Sequence, residues 1–179
     1  MTLETVALHL AAGQLNTFFP LLQQGVVVPA TVGCSLKSLL CDQFAIPAEY
    51  VANRITTVFV DNRPVDDLDR TLVQDGSRVT LSGAMPGLVG ATMRRGGFYA
   101  ALRQGISHAA DHIEGVGERG CIRVKLFNLL LGELGPLILA HGLIQDQDEL
   151  TALLRHFPGQ YKKTSSDTGR VLLTVSFME

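Results

Sequence analysis

The chain has 179 residues, of which 46 % are hydrophobic and 18 % charged, with a formal net charge of −2. That length fits one domain or two small ones with a real core, and the low charge leaves room for a hydrophobic contact surface. No global field draws in nucleic acid or acidic lipid, so neither nucleic acid nor membrane is expected as a partner.

The N-terminal "MTLETVALHL" lacks a basic region and carries Glu4, so no secretory signal is read there and a cytoplasmic location is expected. Within it, "TVALHL" (5–10) alternates like a strand. "GQLNTFFPLLQQG" (13–25) sets Leu15, Phe18, Phe19 and Leu22 at helical spacing and closes on Gly25, with Pro20 kinking or restarting the helix. "VVVPATVG" (26–33) is β-branched and predicts a strand, Pro29 marking an edge or a bulge. Ser35 is a good N-cap, and Leu36, Leu39, Leu40 and Phe44 form one stripe behind it, until Pro47 ends the helix. "RITTVFV" (54–60) is a strand, "DNRP" (61–64) a turn, and "DGSRVTLS" (75–82) a turn followed by a short strand.

Residues 83–97 hold five glycines and a proline, which predicts a loop. A helix is expected from Phe98 to about Ile113, then a linker over 114–120 and a strand at "CIRVKLF" (121–127). Helical segments follow at 128–142 and 147–157, and "RVLLTVSF" (170–177) is a final strand. The stretch 126–144 approaches membrane-span length, but Glu133 within it speaks for a buried helix or a subunit contact. Gly135–Pro136 should break it into two short helices, with more apolar faces than a small domain covers. Leu129, Leu130, Leu134, Leu137 and Leu139 are therefore the candidate interface, to another protein or to a second copy in a homodimer. The two chain ends carry separate βα pieces that can share a sheet across the middle.

The middle has a more particular signature. "VPATVGCSLKSLLCDQFAIPAEYV" leads to "VFVDNRPV" (58–65) and then to "TLVQDGSRVTL" (71–81). Asp61–Asn62 and Asp75–Gly76 suit the tight turns between strands. Residues 26–90 resemble the ubiquitin-like β-grasp sulfur carriers of thiamine and molybdopterin biosynthesis. The fold expected is α+β: a β-grasp domain over 26–90, plus a small α/β extension built from 1–25 with 98–179.

The resemblance also implies a setting in sulfur transfer or molybdenum/tungsten cofactor metabolism. Those carriers end in Gly-Gly soon after the last strand, because their chemistry takes place on the terminal carboxylate. Here Gly96–Gly97 is internal, with 82 residues still to follow (179 − 97). The function expected is accordingly that of a non-catalytic β-grasp protein acting through protein contacts. Two alternatives stay open: a carrier precursor processed after Gly97, and a small-anion or nucleotide-binding protein using the glycine-rich loop.

Arg94, Arg95, Gly96 and Gly97 are the binding candidates, since backbone N–H groups and guanidinium forks suit an anion or an acidic partner. The stretch has no P-loop Lys-Ser/Thr. His108 and His112 are four apart, a spacing that two metal ligands can share, but they read as a solvated helix flank. Cys34 and Cys41 are seven apart, about 10 Å along a helix, beyond disulfide reach. Cys121 makes the count odd, and all three read as reduced thiols. "DDLD" (66–69) and "DQDE" (146–149) look like a solvated turn and a helix-start charge bias. No catalytic group, cofactor or metal is marked.

Overall fold

The computed structural model describes residues 3–83, 87–97, 100–103, 117–163 and 169–179. Strand β1 (Glu4–Ala11) leads through a 3-10 stretch (Ala12–Phe18) into helix α1 (Phe19–Gln24), and Pro20 sits at the restart. Strand β2 (Val26–Val32) is followed by Ser35, whose Oγ accepts from Ser38 N at 3.1 Å. That cap opens α2 (Leu36–Ser38), which runs on as a π-helical turn (Leu39–Gln43). Leu36, Leu39, Leu40 and Phe44 are all buried.

Sequence reading missed the next helix, α3 (Ala48–Arg54). Pro47 ends one helix and starts another: its fixed φ suits the N-cap, and its carbonyl accepts from Val51 N at 3.1 Å. Strands β3 (Thr57–Val60), β4 (Arg63–Pro64) and β5 (Arg78–Ser82) follow, with Asp61 and Asn62 at positive φ in the turn.

A helix, α4 (Gly87–Met93), stands where a loop was expected, and Ala100–Arg103 adds a 3-10 turn. Glycines inside a helix cost up to ~1 kcal/mol each. Here tertiary bonds offset that cost: Arg103 donates from Nε to the Thr92 carbonyl at 2.7 Å and from Nη2 to the Arg94 carbonyl at 3.2 Å. The helix expected over 98–113 lies largely outside the described residues.

Strand β6 (Glu118–Phe127) begins within the stretch read as a linker. Helix α5 (Leu130–His141) is one continuous helix with Pro136 inside, which corrects the expected break. The proline removes one interior hydrogen bond, but the helix is held by its own buried face of Leu130, Leu134, Ile138 and Leu139. β7 (Leu143–Asp146), α6 (Gln147–Leu154), β8 (Tyr161–Lys163) and β9 (Arg170–Met178) complete the described elements. Short β7 and β8 had no sequence signal strong enough to separate them from their flanks.

All described strands form one sheet in the order β4-β3-β5-β6-β2-β7-β9-β1-β8. Chain ends and middle therefore share it, with β1 parallel to β9 over eight paired residues. The directions read outward from β2 are antiparallel, parallel, antiparallel (β6, β5, β3), and outward from β7 they are the same (β9, β1, β8). The two halves meet at a single antiparallel pair, Val27 with Ile144.

Beyond that pair β2 is unpaired on its β7 side, and side chains take over. The Gln43 amide accepts from Thr31 N (2.8 Å) and donates to Thr31 O (2.9 Å), and His141 Nε2 lies 2.7 Å from Pro29 O. Pro29 thus sits in a central strand where no partner strand needs its missing N–H.

Period-two alternation gives the sheet one core face. Val6, Leu8 and Leu10, Val26 and Val28, Ile122, Val124 and Leu126, and Val171, Leu173 and Val175 are essentially inaccessible there. Helix residues Leu22, Leu36, Leu40, Leu134, Ile138 and Leu150 join the same cluster. Among the described residues no helix is long and apolar enough to cross a membrane.

Gly25 and Gly142 end α1 and α5 in matching conformations, φ 109° and 113°. A Cβ on Gly142 would lie 2.8 Å from Leu172 Cδ1, in a backbone region that only glycine occupies readily. Gly142→Ala should lower stability by about 1–3 kcal/mol. An unchanged urea midpoint would remove that argument.

Candidate functional site

The loop after β4 carries four residues read from sequence as a solvated turn, "DDLD" (66–69), and two of its acids do more than that. Asp67 is spent locally: its Oδ1 accepts from Asp69 N (3.0 Å) and Arg70 N (3.1 Å), closing an Asx turn. Asp69 lies 3.4 Å from Lys37 Nζ at the start of α2. Asp66 is different. Both its oxygens face Arg103, at 2.6 Å and 2.9 Å, in a bidentate pair, and its Oδ1 also accepts from Gly96 N at 2.9 Å.

The Arg103 side chain in that pair is 1 % exposed and the Asp66 side chain 39 %. Burial pushes the Asp66 carboxyl up, but hydrogen bonds from Arg103 and Gly96 and the charges of Arg103 and Arg95 outweigh it. The net result is a carboxyl held below its ordinary range. Sequence reading missed Asp66 and Arg103. Partners 37 residues apart leave no local signal.

This pair fixes the predicted binding residues. The N–H of Gly96, a candidate anion donor, is already bonded to the protein's own Asp66. Gly97 N is bonded to the Arg94 carbonyl at 3.2 Å, so the Gly-Gly pair closes a turn rather than forming a free tail. The Arg94 side chain is exposed, and Arg95 turns inward. Arg95 N donates to Thr56 O (2.7 Å), and its Nη2 to Val51 O (2.9 Å), capping the last turn of α3. Burial pulls the Arg95 guanidinium pKa down, and the nearby Asp66 charge opposes the shift.

Of the four predicted binding residues Arg95 alone is among those that line, with Asp66, Asp67 and Asp69, a cleft of about 450 Å³ between α2, α3 and the 66–69 loop. Its rim is Lys37, Asp66, Asp67, Asp69 and Arg95, and its apolar surface comes from Cys41, Ala48, Val51, Ala52 and Leu68. The volume falls in the range of small-ligand sites.

The thiols are not activated. Burial, then the Asp42 charge, pushes the Cys41 thiol up; burial also dominates the upward shifts of Cys34 and Cys121. Cys34 Sγ donates to Thr31 O and accepts from Gln43 Nε2, both at 3.3 Å. Among the described residues no three His, Cys, Asp or Glu side chains gather as metal ligands. His108 and His112 lie outside the described residues. His9 Nδ1 lies 2.7 Å from Ser176 Oγ across β1 and β9.

The five candidate leucines, Leu129, Leu130, Leu134, Leu137 and Leu139, do not share one exposed surface. Leu130, Leu134 and Leu139 are buried in the chain's own core and Leu137 is half-buried, while Leu129 is 68 % exposed. Leu129 stands at a second, smaller cleft of about 120 Å³, with Asn53, Arg54, Gly83, Asn128 and Glu133. There Glu133 accepts from Tyr50 Oη and from Arg54 Nη2 (2.6 Å), tying α5 to α3. Burial, then the Glu133 hydrogen bond and charge, pushes the Tyr50 hydroxyl up to about 12. Glu4, which counts in the sequence only against a signal peptide, is buried on β1, and among the described residues neither of its oxygens has a hydrogen-bond partner. No protein-family model, curated protein or solved structure gives a significant match to this chain.

Proposed function

We propose that the chain is a non-catalytic β-grasp protein that acts through contacts with another protein. The observation that carries this reading is the order β2-β6-β5-β3-β4, with parallel β6 and β5 at its centre and antiparallel strands outside. The helical segment 36–43 leads from β2 toward β3 and buries its leucines against that sheet. This order is what a grasp arrangement would have if its opening strand, here β6, were supplied late in the chain rather than first. The resemblance of 58–65 and 71–81 to sulfur carriers falls on β3, β4 and β5 of this half, and suggests a setting in sulfur transfer or molybdenum/tungsten cofactor metabolism.

The same arrangement speaks against a processed carrier. A cut after Gly97 would separate β5 from β6, the strand that lies between β5 and β2. A carrier released that way would lose the middle of its own sheet. Burial, which raises the three thiols, speaks against a cysteine nucleophile.

The test is intact mass and complex size, measured on protein from the cells that make it. The full 179-residue chain is expected, in a complex with a defined second protein. A major species ending at Gly97, with or without added sulfur, would overturn this reading in favour of the carrier. A full-length chain that runs as a lone monomer by light scattering would also overturn it.

A further inference from the structure

The cleft beside α3 has a charge balance that its neighbours do not resolve. Three of its acids are matched: Asp66 by Arg103, Asp67 by Arg70 at 3.7 Å, and Asp69 by Lys37. The surplus charge is Arg95. It gives one N–H to the Val51 carbonyl, and among the described residues no carboxylate lies within ion-pair distance of it. A half-buried guanidinium with donors left over, on the wall of a cleft, is an anchor for a planar anion.

We propose that this cleft binds a single carboxylate carried on a short apolar body, with Arg95 holding the carboxylate. The charge limits the ligand first. Arg95 offers one planar fork to one carboxylate, whereas a phosphate dianion would set its second charge against Asp66, Asp67 and Asp69 and against Asp42 beside Cys41. The wall limits it next. Ala48 and Ala52 stand one helical turn apart on α3, and both are exposed, so no long side chain fills the space in front of Val51 and Leu68. The thiol of Cys41, kept protonated by its surroundings, adds a further apolar group. Such a ligand has two sources, a free short-chain acid or the C-terminal residue of a peptide. This inference goes beyond the protein-contact reading, because the cleft can fill whether or not a partner protein exists.

The experiment titrates the full-length, 15N-labelled protein with isovalerate, and separately with acetyl-Ala-Val as free acid and as amide, following backbone amide shifts. Saturable shifts at Cys41, Val51 and Ala52 are expected with a carboxylate, at least tenfold weaker with the amide. Arg95→Gln should weaken binding at least tenfold. Ala52→Phe, which leaves Arg95 and its bonds in place, should block the cleft with the fold intact. Preference for the peptide acid over isovalerate assigns the site to a chain terminus, and the reverse to a free acid. Absence of saturable shifts with either carboxylate, equal binding of the amide, unchanged binding in Ala52→Phe, or tighter binding of inorganic phosphate would each overturn the proposal.

Discussion

Asp66→Ala is expected to release the segment 87–103 from the body of the protein. The substitution removes the bidentate carboxylate from the buried Arg103 guanidinium, and breaking such a pair costs about 3–5 kcal/mol where it is fully buried; it also strips the acceptor from Gly96 N–H. Opening the segment is the cheaper response, because it returns Arg103 to water while the sheet stays paired. Trypsin reads that opening directly, since Arg94 and Arg95 lie in the segment and cleavage tracks the open population. Cleavage there should accelerate by at least ~100-fold.

Arg103→Met should open the segment too: the carboxylate it abandons is 39 % exposed and can be hydrated, but the bonds to the Thr92 and Arg94 carbonyls are lost with the side chain. Acid acts in the same direction as Asp66→Ala. The folded-state Asp66 pKa is depressed, so its contribution is complete above the ordinary carboxyl range and is lost as pH falls through the lower, folded value. Equal cleavage rates in wild type and Asp66→Ala would show that the pair does not hold this segment.

Phe157→Ala should be among the most destabilising single changes. Its ring stacks on Phe18 with centroids 5.5 Å apart and planes within 7°, and Phe18 meets Phe177 edge-on at 6.3 Å. Phe18 and Phe157 are essentially inaccessible. Truncating a buried phenylalanine costs about 3–5 kcal/mol, which in a chain of this size lowers Tm by roughly 10 °C. Urea unfolding followed by far-UV circular dichroism measures the loss, and a cost under about 1 kcal/mol would mean that the cluster relaxes around the gap. Phe157→Leu should recover part of the difference.

What was legible in the sequence was local. Ser35 announced its cap, Asp61–Asn62 and Asp75–Gly76 their turns, and the alternation of 5–10, 26–33, 121–127 and 170–177 its strands. Each of these signals comes from residues within a few positions of one another. The position of β6 between β5 and β2 was not legible, because strand order depends on pairings across the chain and leaves no mark on either strand alone.

The candidate site was half legible for the same reason. Two arginines before two glycines drew notice, but nothing nearby says that Arg95 turns under α3 while Arg94 stays out, or that an aspartate 30 positions earlier takes the Gly96 N–H. Composition misled in one place. Leucines dense enough to suggest a surface at 129–139 are mostly absorbed by a nine-stranded sheet larger than the sequence implied.

The pairing of β1 has a consequence for biosynthesis. It precedes both its neighbours in the sheet, β8 and β9, which come after residue 160. Until those strands are made its backbone donors and acceptors have no native strand to meet, and Val6, Leu8 and Leu10 have no completed core to enter. Helices and the β3–β4 hairpin can form on the nascent chain, since their contacts are short-range. Closure of the far half of the sheet must wait for β8 and β9 to emerge. The nascent chain therefore carries an open β edge from β1 until β9 is made, and keeping that edge from other chains falls to whatever binds it first.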